Sequence, residues 1–207
     1  MPSSDGQFYI TDDSGILIKP HAESRVKPED RLWFKSHHNF GINLKGPGVS
    51  ELTHRFIESL AVRIAKKDHE IGENWNELPD LFDFVKNEAF IASTTAFCGP
   101  HILELNPTLA EDFWDFDSSL PIILKNIPRW IRPRAYAVRD RMQGSIAKWH
   151  QYADANFDWE DESKTDILWE PNFGSRVMRM EWKMYRDASV DVSAAGRAAA
   201  DLGLFWA

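Results

Sequence analysis

The chain has one cysteine, Cys98, among 207 residues, which excludes an internal disulfide and points to a reducing compartment. It has no surplus of basic residues. Twenty-four Lys and Arg stand against 32 Asp and Glu, a formal charge of -8, and a nucleic-acid partner would need a basic face that this balance does not supply. No apolar run approaches the roughly 20 residues needed to span a bilayer. The opening MPSSDGQFYI lacks a basic region followed by an apolar one, so it does not read as a signal peptide. The expectation is a cytoplasmic chain, soluble or at most peripheral. The motifs of several common chemistries are missing too. There is no GxGxxG, no phosphate-cradling GxxxxGK[ST], no HExxH, no CxxC and no GxSxG elbow.

What the chain does have is a large aromatic complement, nine Trp and thirteen Phe, enough for a sizeable core in one domain spanning residues 1–207. Its patterning is mainly helical. Leu52, Phe56, Leu60 and Ile64 recur every four residues after Ser50, a candidate N-cap, and mark a core-facing helix to about Lys67. Residues 79–97 are apolar on most sides, the pattern of a helix buried on more than one face, and Gly99-Pro100 ends it. Asn106-Pro107 is read as the start of a third helix that Pro121 breaks. Ala135, Val138, Met142, Ile146 and Trp149 give the core stripe of a long helix over 133–153. Its other face carries Arg134, Arg139, Arg141 and Lys148, read as solvated, with a membrane or partner surface as the alternative. Val177, Met178, Trp182 and Met184 mark a helix over 175–188. Only the N-terminus reads as β: Phe8–Thr11 and Ile16–Ile18 flank Asp12-Asp13-Ser14-Gly15 as a small hairpin.

Candidate chemical groups are few. His37 and His38 are adjacent and lack a spaced third ligand, so they read as solvated loop histidines. Cys98 is either a nucleophile, for which the sequence names no base, or a small buried residue. Glu111, Asp112, Asp115 and Asp117 cluster, as a solvated helical face commonly does. The last stretch, SAAGRAAADLGLFWA, reads as a helix without a stop signal, its apolar residues ending at Ala207.

The order of these segments resembles a known family. FGINLKGPGVSELTHRF (40–56) is similar to the region leading into the early helices of fungal cytochrome P-450 proteins, in the branch of sterol 7α-hydroxylase and prostacyclin synthase. DLFDFVKNEAFIASTTAFCG (80–99) resembles that family's helix E. FWDFDSSLPIILKNIPRWIRPRAYAVRDRM (113–142) is similar to its helix F to helix G region, and ADLGLFWA (200–207) to the first half of its central helix I. The ordered matches cover about residues 33–207.

The resemblance implies a partial cytochrome P-450 fold, helices about C to I, cut within helix I. It also implies haem-thiolate monooxygenation of an apolar small molecule in the intact family, in fungal secondary metabolism and at the endoplasmic reticulum membrane. The family's late FxxGxxxCxG loop and ExxR motif do not occur in this sequence, and Cys98 follows ASTTAF, which lacks that loop's Phe and Gly. The expectation is therefore no catalytic residue, no metal ligand and no stably held haem in this chain. Helix I alignment assigns Ala200, Leu204 and Ala207 to the substrate pocket, with Phe40 as a further candidate. Two other readings stay open. One is a non-enzymatic partner, or half of a split monooxygenase, that docks its unfinished helix on a missing C-terminal half. The other is an unrelated helical lipid-binding domain that closes its own core. The family reading also predicts that helix 80–97 and the apolar last stretch lack packing partners.

Overall fold

The computed structural model describes residues 12–73, 77, 80–188, 197–198 and 201–202. The mainly helical reading holds. In chain order the described elements are α1 (Leu32–Asn43), α2 (Pro47–Ile71), α3 (Leu81–Cys98), α4 (His101–Leu105), α5 (Leu109–Leu124), α6 (Pro133–Asn156), α7 (Glu162–Thr165), β1 (Trp169–Glu170), β2 (Gly174–Ser175) and α8 (Arg176–Asp187). Residues 197–198 and 201–202 are also helical.

The small antiparallel sheet pairs Trp169 with Ser175 and Glu170 with Gly174. It lies late in the chain, not at the N-terminus. Phe8–Thr11 fall outside the described residues. Ile16–Ile18 form bends and are exposed, and the carbonyls of Leu17 and Ile18 accept from the Arg31 guanidinium at 2.6 and 2.8 Å. A side chain takes the bonds that a partner strand would have supplied.

The helix boundaries follow local chemistry. Asp80 caps α3 by accepting from the backbone of Phe82 and Asp83. Ser175 caps α8 by accepting from Met178 N. Pro47 occupies the first turn of α2, where its missing N–H costs nothing, so this helix begins before Ser50. Asn106 caps no N-terminus. It closes α4, and its amide donates to Ile102 O and to Ser145 O across on α6. Pro121 does not break α5. The helix runs one turn past it because a proline removes only its own donor, and Lys125 N still donates to Pro121 O.

The core is built where the stripes meet. Ala135, Val138, Met142, Ile146 and Trp149 of α6 are all buried, as their period requires. Val138, Met142, Ile146 and Trp149 pack with Phe113 and Phe116 of α5, with Phe90 and Ile102, and with Met178 and Trp182 of α8. Each such side chain contributes roughly 1.5–3 kcal/mol on full burial. Phe173 sits in an aromatic cage, its ring centroid 5.6–6.3 Å from those of Trp149, Phe157, Trp159 and Trp182.

α2 behaves differently. None of its described side chains is buried, and Ile57, Val62 and Ile64 are at least half exposed. The predicted core stripe is only partly covered, by α3. Leu81, Phe82 and Val85 in the first turns of α3 are also exposed, whereas Phe90, Ala92, Ala96 and Cys98 further along it are buried. The expected lack of partners therefore applies to the start of that helix. It fails for the described part of the last stretch, where Ala198 and Leu202 are buried in the main core.

Candidate functional site

Ala200, Leu204 and Ala207 lie outside the described residues. Phe40 is half-buried on α1 and does not line the groove described below. The chemistry near the last stretch belongs to its described neighbours. Asp201 is 1% exposed and His150 of α6 is 3% exposed, and His150 Nε2 lies 2.7 Å from Asp201 Oδ2. The imidazole is held between two indoles, with ring centroids 4.9 Å from Trp149 and 4.8 Å from Trp182. The guanidinium of Arg197 stacks over Trp182 at 4.6 Å.

Glu181 of α8 extends this buried polar layer toward α1. Its Oε1 accepts from Asn39 Nδ2 at 2.6 Å. Burial raises its carboxyl to about 7, and the Asp201 charge pushes the same way, against the Asn39 and Ser36 hydrogen bonds. Arg179, also on α8, is fully buried and donates to Ile167 O.

Cys98 ends α3 and is completely buried. Burial pushes its thiol well above the ordinary range, and the Asp201 carboxylate adds to that shift. A thiolate ligand needs the opposite setting, an electropositive and accessible sulfur. Cys98 is a small buried packing residue. The haem-thiolate centre needs an axial thiolate, and the residues present do not fit it. Among the described residues no group of three or more His, Cys, Asp or Glu is arranged to hold a metal ion. Likewise, no described helix is long and apolar enough to cross a membrane.

His37 and His38 sit on helix α1 and not on a loop. Both are exposed; His37 Nδ1 lies 2.9 Å from Trp33 O, and His38 stacks on Phe34 at 5.4 Å. The acidic cluster is not simply solvated. Asp112 is buried and accepts from Arg141 Nε at 2.8 Å and from Thr108 Oγ1 at 3.0 Å, which ties α5 to α6. The basic face of α6 is partly used in the same way: Arg139 pairs with Asp140, and Lys148 donates to Leu105 O.

An open groove of about 530 Å³ lies between α2 and the α3–α5 layer. Val62, Ile91, Leu103 and Ala110 give it an apolar floor, and Arg55 stands at its edge with its guanidinium 4.5 Å over the Trp169 ring.

Sequence reasoning missed His150 and Asp201 as a pair. The signals were there. His150 is adjacent to the stripe residue Trp149, and Asp201 is a lone acid in an otherwise apolar run. Their closeness depends on how the last stretch docks, which no local pattern encodes.

Comparison with known proteins settles the family. The chain is 34% identical over 191 residues, 92% of its length, to the cytochrome P450 monooxygenase efuG of Hormonema carpetanum. It is 36% identical over 190 residues, 88% of its length, to the cytochrome P450 monooxygenase fsoE of Humicola fuscoatra. Over 173 residues, 83% of its length, it is 30% identical to the cytochrome P450 monooxygenase calL of Penicillium decumbens. No family model and no solved structure matches. The chain belongs to the cytochrome P450 family. It spans about a third of the length of these fungal relatives, 33%, 32% and 32% respectively.

Proposed function

We propose that these 207 residues supply substrate-pocket helices of a cytochrome P450 monooxygenase fold and are not a competent monooxygenase by themselves. The observation that carries this reading is Cys98, the only thiol in the sequence, sealed at the end of α3 beside the buried Asp201. The family reaction is oxygen insertion into an apolar small molecule, in fungal secondary metabolism. The pocket contribution falls to Ala200, Leu204 and Ala207, with Phe40 further off. Support for that stripe comes from the helical period. At 100° per residue, a continuous helix would bring positions 200, 204 and 207 to one side. The test is an equilibrium haem titration of the chain and of its Cys98→Ser variant. Equal, weak binding by both is expected; near-stoichiometric binding that the substitution removes would overturn the reading.

A second reading makes the chain one half of a split monooxygenase, joined by a polypeptide carrying the Cys-bearing loop. The half-exposed apolar faces of α2 and of the start of α3 favour it, since such surface is costly to leave in water. The test is co-expression with the part of efuG that this chain does not match. Stable co-purification through Ile57, Val62 and Leu81, lost when these three become Ser, supports that reading. Two independently eluting chains would contradict it.

A further inference from the structure

Residues 118–139, from the end of α5 into α6, carry five Lys and Arg and no acid, in a chain of formal charge -8. The structure divides those cations into two sets. Arg129 and Arg139 both pair with Asp140, at 2.7 and 2.8 Å. Further along α6, Arg141 pairs with Asp112 and Lys148 donates to Leu105 O. Most of the basic face of α6 is thus engaged in internal contacts. Lys125, Arg132 and Arg134 are not. All three are exposed, and among the described residues no acidic side chain pairs with them.

The same connector leaves large apolar side chains in water. Trp130 is 83% exposed, Leu124 69% and Ile131 48%. An open cavity of about 400 Å³ is lined by Ser119, Ile122, Ile131, Arg132 and Arg134. Two cationic side chains therefore share one cavity with an apolar wall. The backbone of the turn is largely paired within itself. Lys125, Asn126, Ile127, Ile131 and Arg132 donate to the carbonyls of Pro121, Ile123, Ile122, Pro128 and Pro128. The Tyr136 hydroxyl donates to Ile127 O at 2.6 Å, and Pro128 and Pro133 have no N–H to satisfy. Unpaired backbone groups are what an apolar phase penalises most, and this turn offers few. Trp flanked by Arg and Lys is the composition that settles where lipid headgroups meet acyl chains.

We propose that the α5–α6 connector is a contact site for an anionic membrane surface, with a phospholipid phosphate received by Arg132 and Arg134 at the cavity. Ile122 and Ile131 line the path of the first acyl methylenes. Trp130 and Leu124 enter the boundary between headgroups and chains, and Lys125 adds charge at its edge. The contact is peripheral and spans nothing. This inference goes beyond the proposed function and does not depend on haem or substrate.

Flotation of the full chain with lipid vesicles through a density gradient tests it, because aggregated protein does not float. Wild type should bind vesicles of equal parts phosphatidylcholine and phosphatidylserine about tenfold or more tightly than vesicles of phosphatidylcholine alone, the effect of two or three cations at an anionic surface. Arg132→Gln with Arg134→Gln should bring that preference down to about twofold. Trp130→Ser should weaken binding to the mixed vesicles about tenfold, the loss of one large buried side chain. Lys45→Gln with Lys66→Gln removes the same charge at exposed positions elsewhere, and should change binding less than about twofold. Far-UV circular dichroism checks that each variant is folded. Absence of flotation, equal binding to both vesicles, unchanged binding in either connector variant, or an equal loss in the lysine variant would each overturn the proposal. So would displacement by inorganic phosphate beyond that by chloride at the same ionic strength, which would assign the arginines to a free anion.

Discussion

Gly174 of β2 lies backbone to backbone against Gly99 at the end of α3: a Cβ built on Gly174 would sit 2.3 Å from Gly99 N and 2.5 Å from Cys98 C. Both glycines have positive φ, 71° and 81°, and a Cβ on Gly99 would sit 2.3 Å from Pro171 O. The contact presses the 171–174 turn onto the α3 terminus and seals Cys98 beneath it.

Gly174→Ala and Gly99→Ala should therefore each destabilise the chain by about 2–4 kcal/mol, from the left-handed backbone and the backbone clash together. Denaturant unfolding followed by far-UV circular dichroism measures this. A change no larger than that for Gly41→Ala, whose added Cβ meets nothing within 4 Å, would show that the turn can move away.

How much of this was legible in advance depends on the range of the interaction. The α6 and α8 stripes were readable because a buried helical face repeats at fixed spacing, and Met142, Ile146, Trp149 and Trp182 are buried as the period requires. The Cys98 environment was not readable. It depends on Gly174, Pro171 and Asp201, which lie more than 70 residues away. The α2 stripe misled for the opposite reason: Leu52, Phe56 and Leu60 have core spacing but only a half-covering partner. At the N-terminus, a turn cluster between β-prone residues resembled a hairpin, and Arg31 took the carbonyl bonds instead.

Burial of the single thiol makes a kinetic prediction. Folded chain should react with a water-soluble thiol reagent about a hundredfold or more slowly than denatured chain, because reaction at Cys98 requires local opening. Similar rates in the two states would contradict the sealed site.

Glu181 gives a pH prediction. Its folded-state carboxyl is raised from 4.5 to about 7, so the neutral form is favoured in the folded chain. Its contribution to stability is complete below the unfolded value of about 4.5 and is lost as pH rises to about 7. Glu181→Gln should thus stabilise the chain above pH 7.5 by about 1–3 kcal/mol and change little at pH 4.5. Denaturant midpoints at the two pH values check the sign, and stabilisation confined to the acidic side would be the wrong one.

Asp154 is a third load on the same core. Its Oδ1 accepts from Trp182 at 2.7 Å, Trp159 at 3.0 Å and Arg186 at 2.6 Å. Asp154→Ala leaves two indole donors unpaired and should cost about 2–4 kcal/mol, while Asp154→Asn, which keeps an acceptor oxygen, should cost less. Equal losses in the two variants would assign the effect to charge alone.

The central claim, that these residues form part of a monooxygenase fold but cannot supply its thiolate, is tested most directly by spectroscopy. Purified chain is incubated with haem, reduced with dithionite and exposed to carbon monoxide, and the difference spectrum is recorded. The account predicts no thiolate-type Soret band, in wild type or in Cys98→Ser. A near-stoichiometric band of that type, lost on the Cys98→Ser substitution, would contradict it.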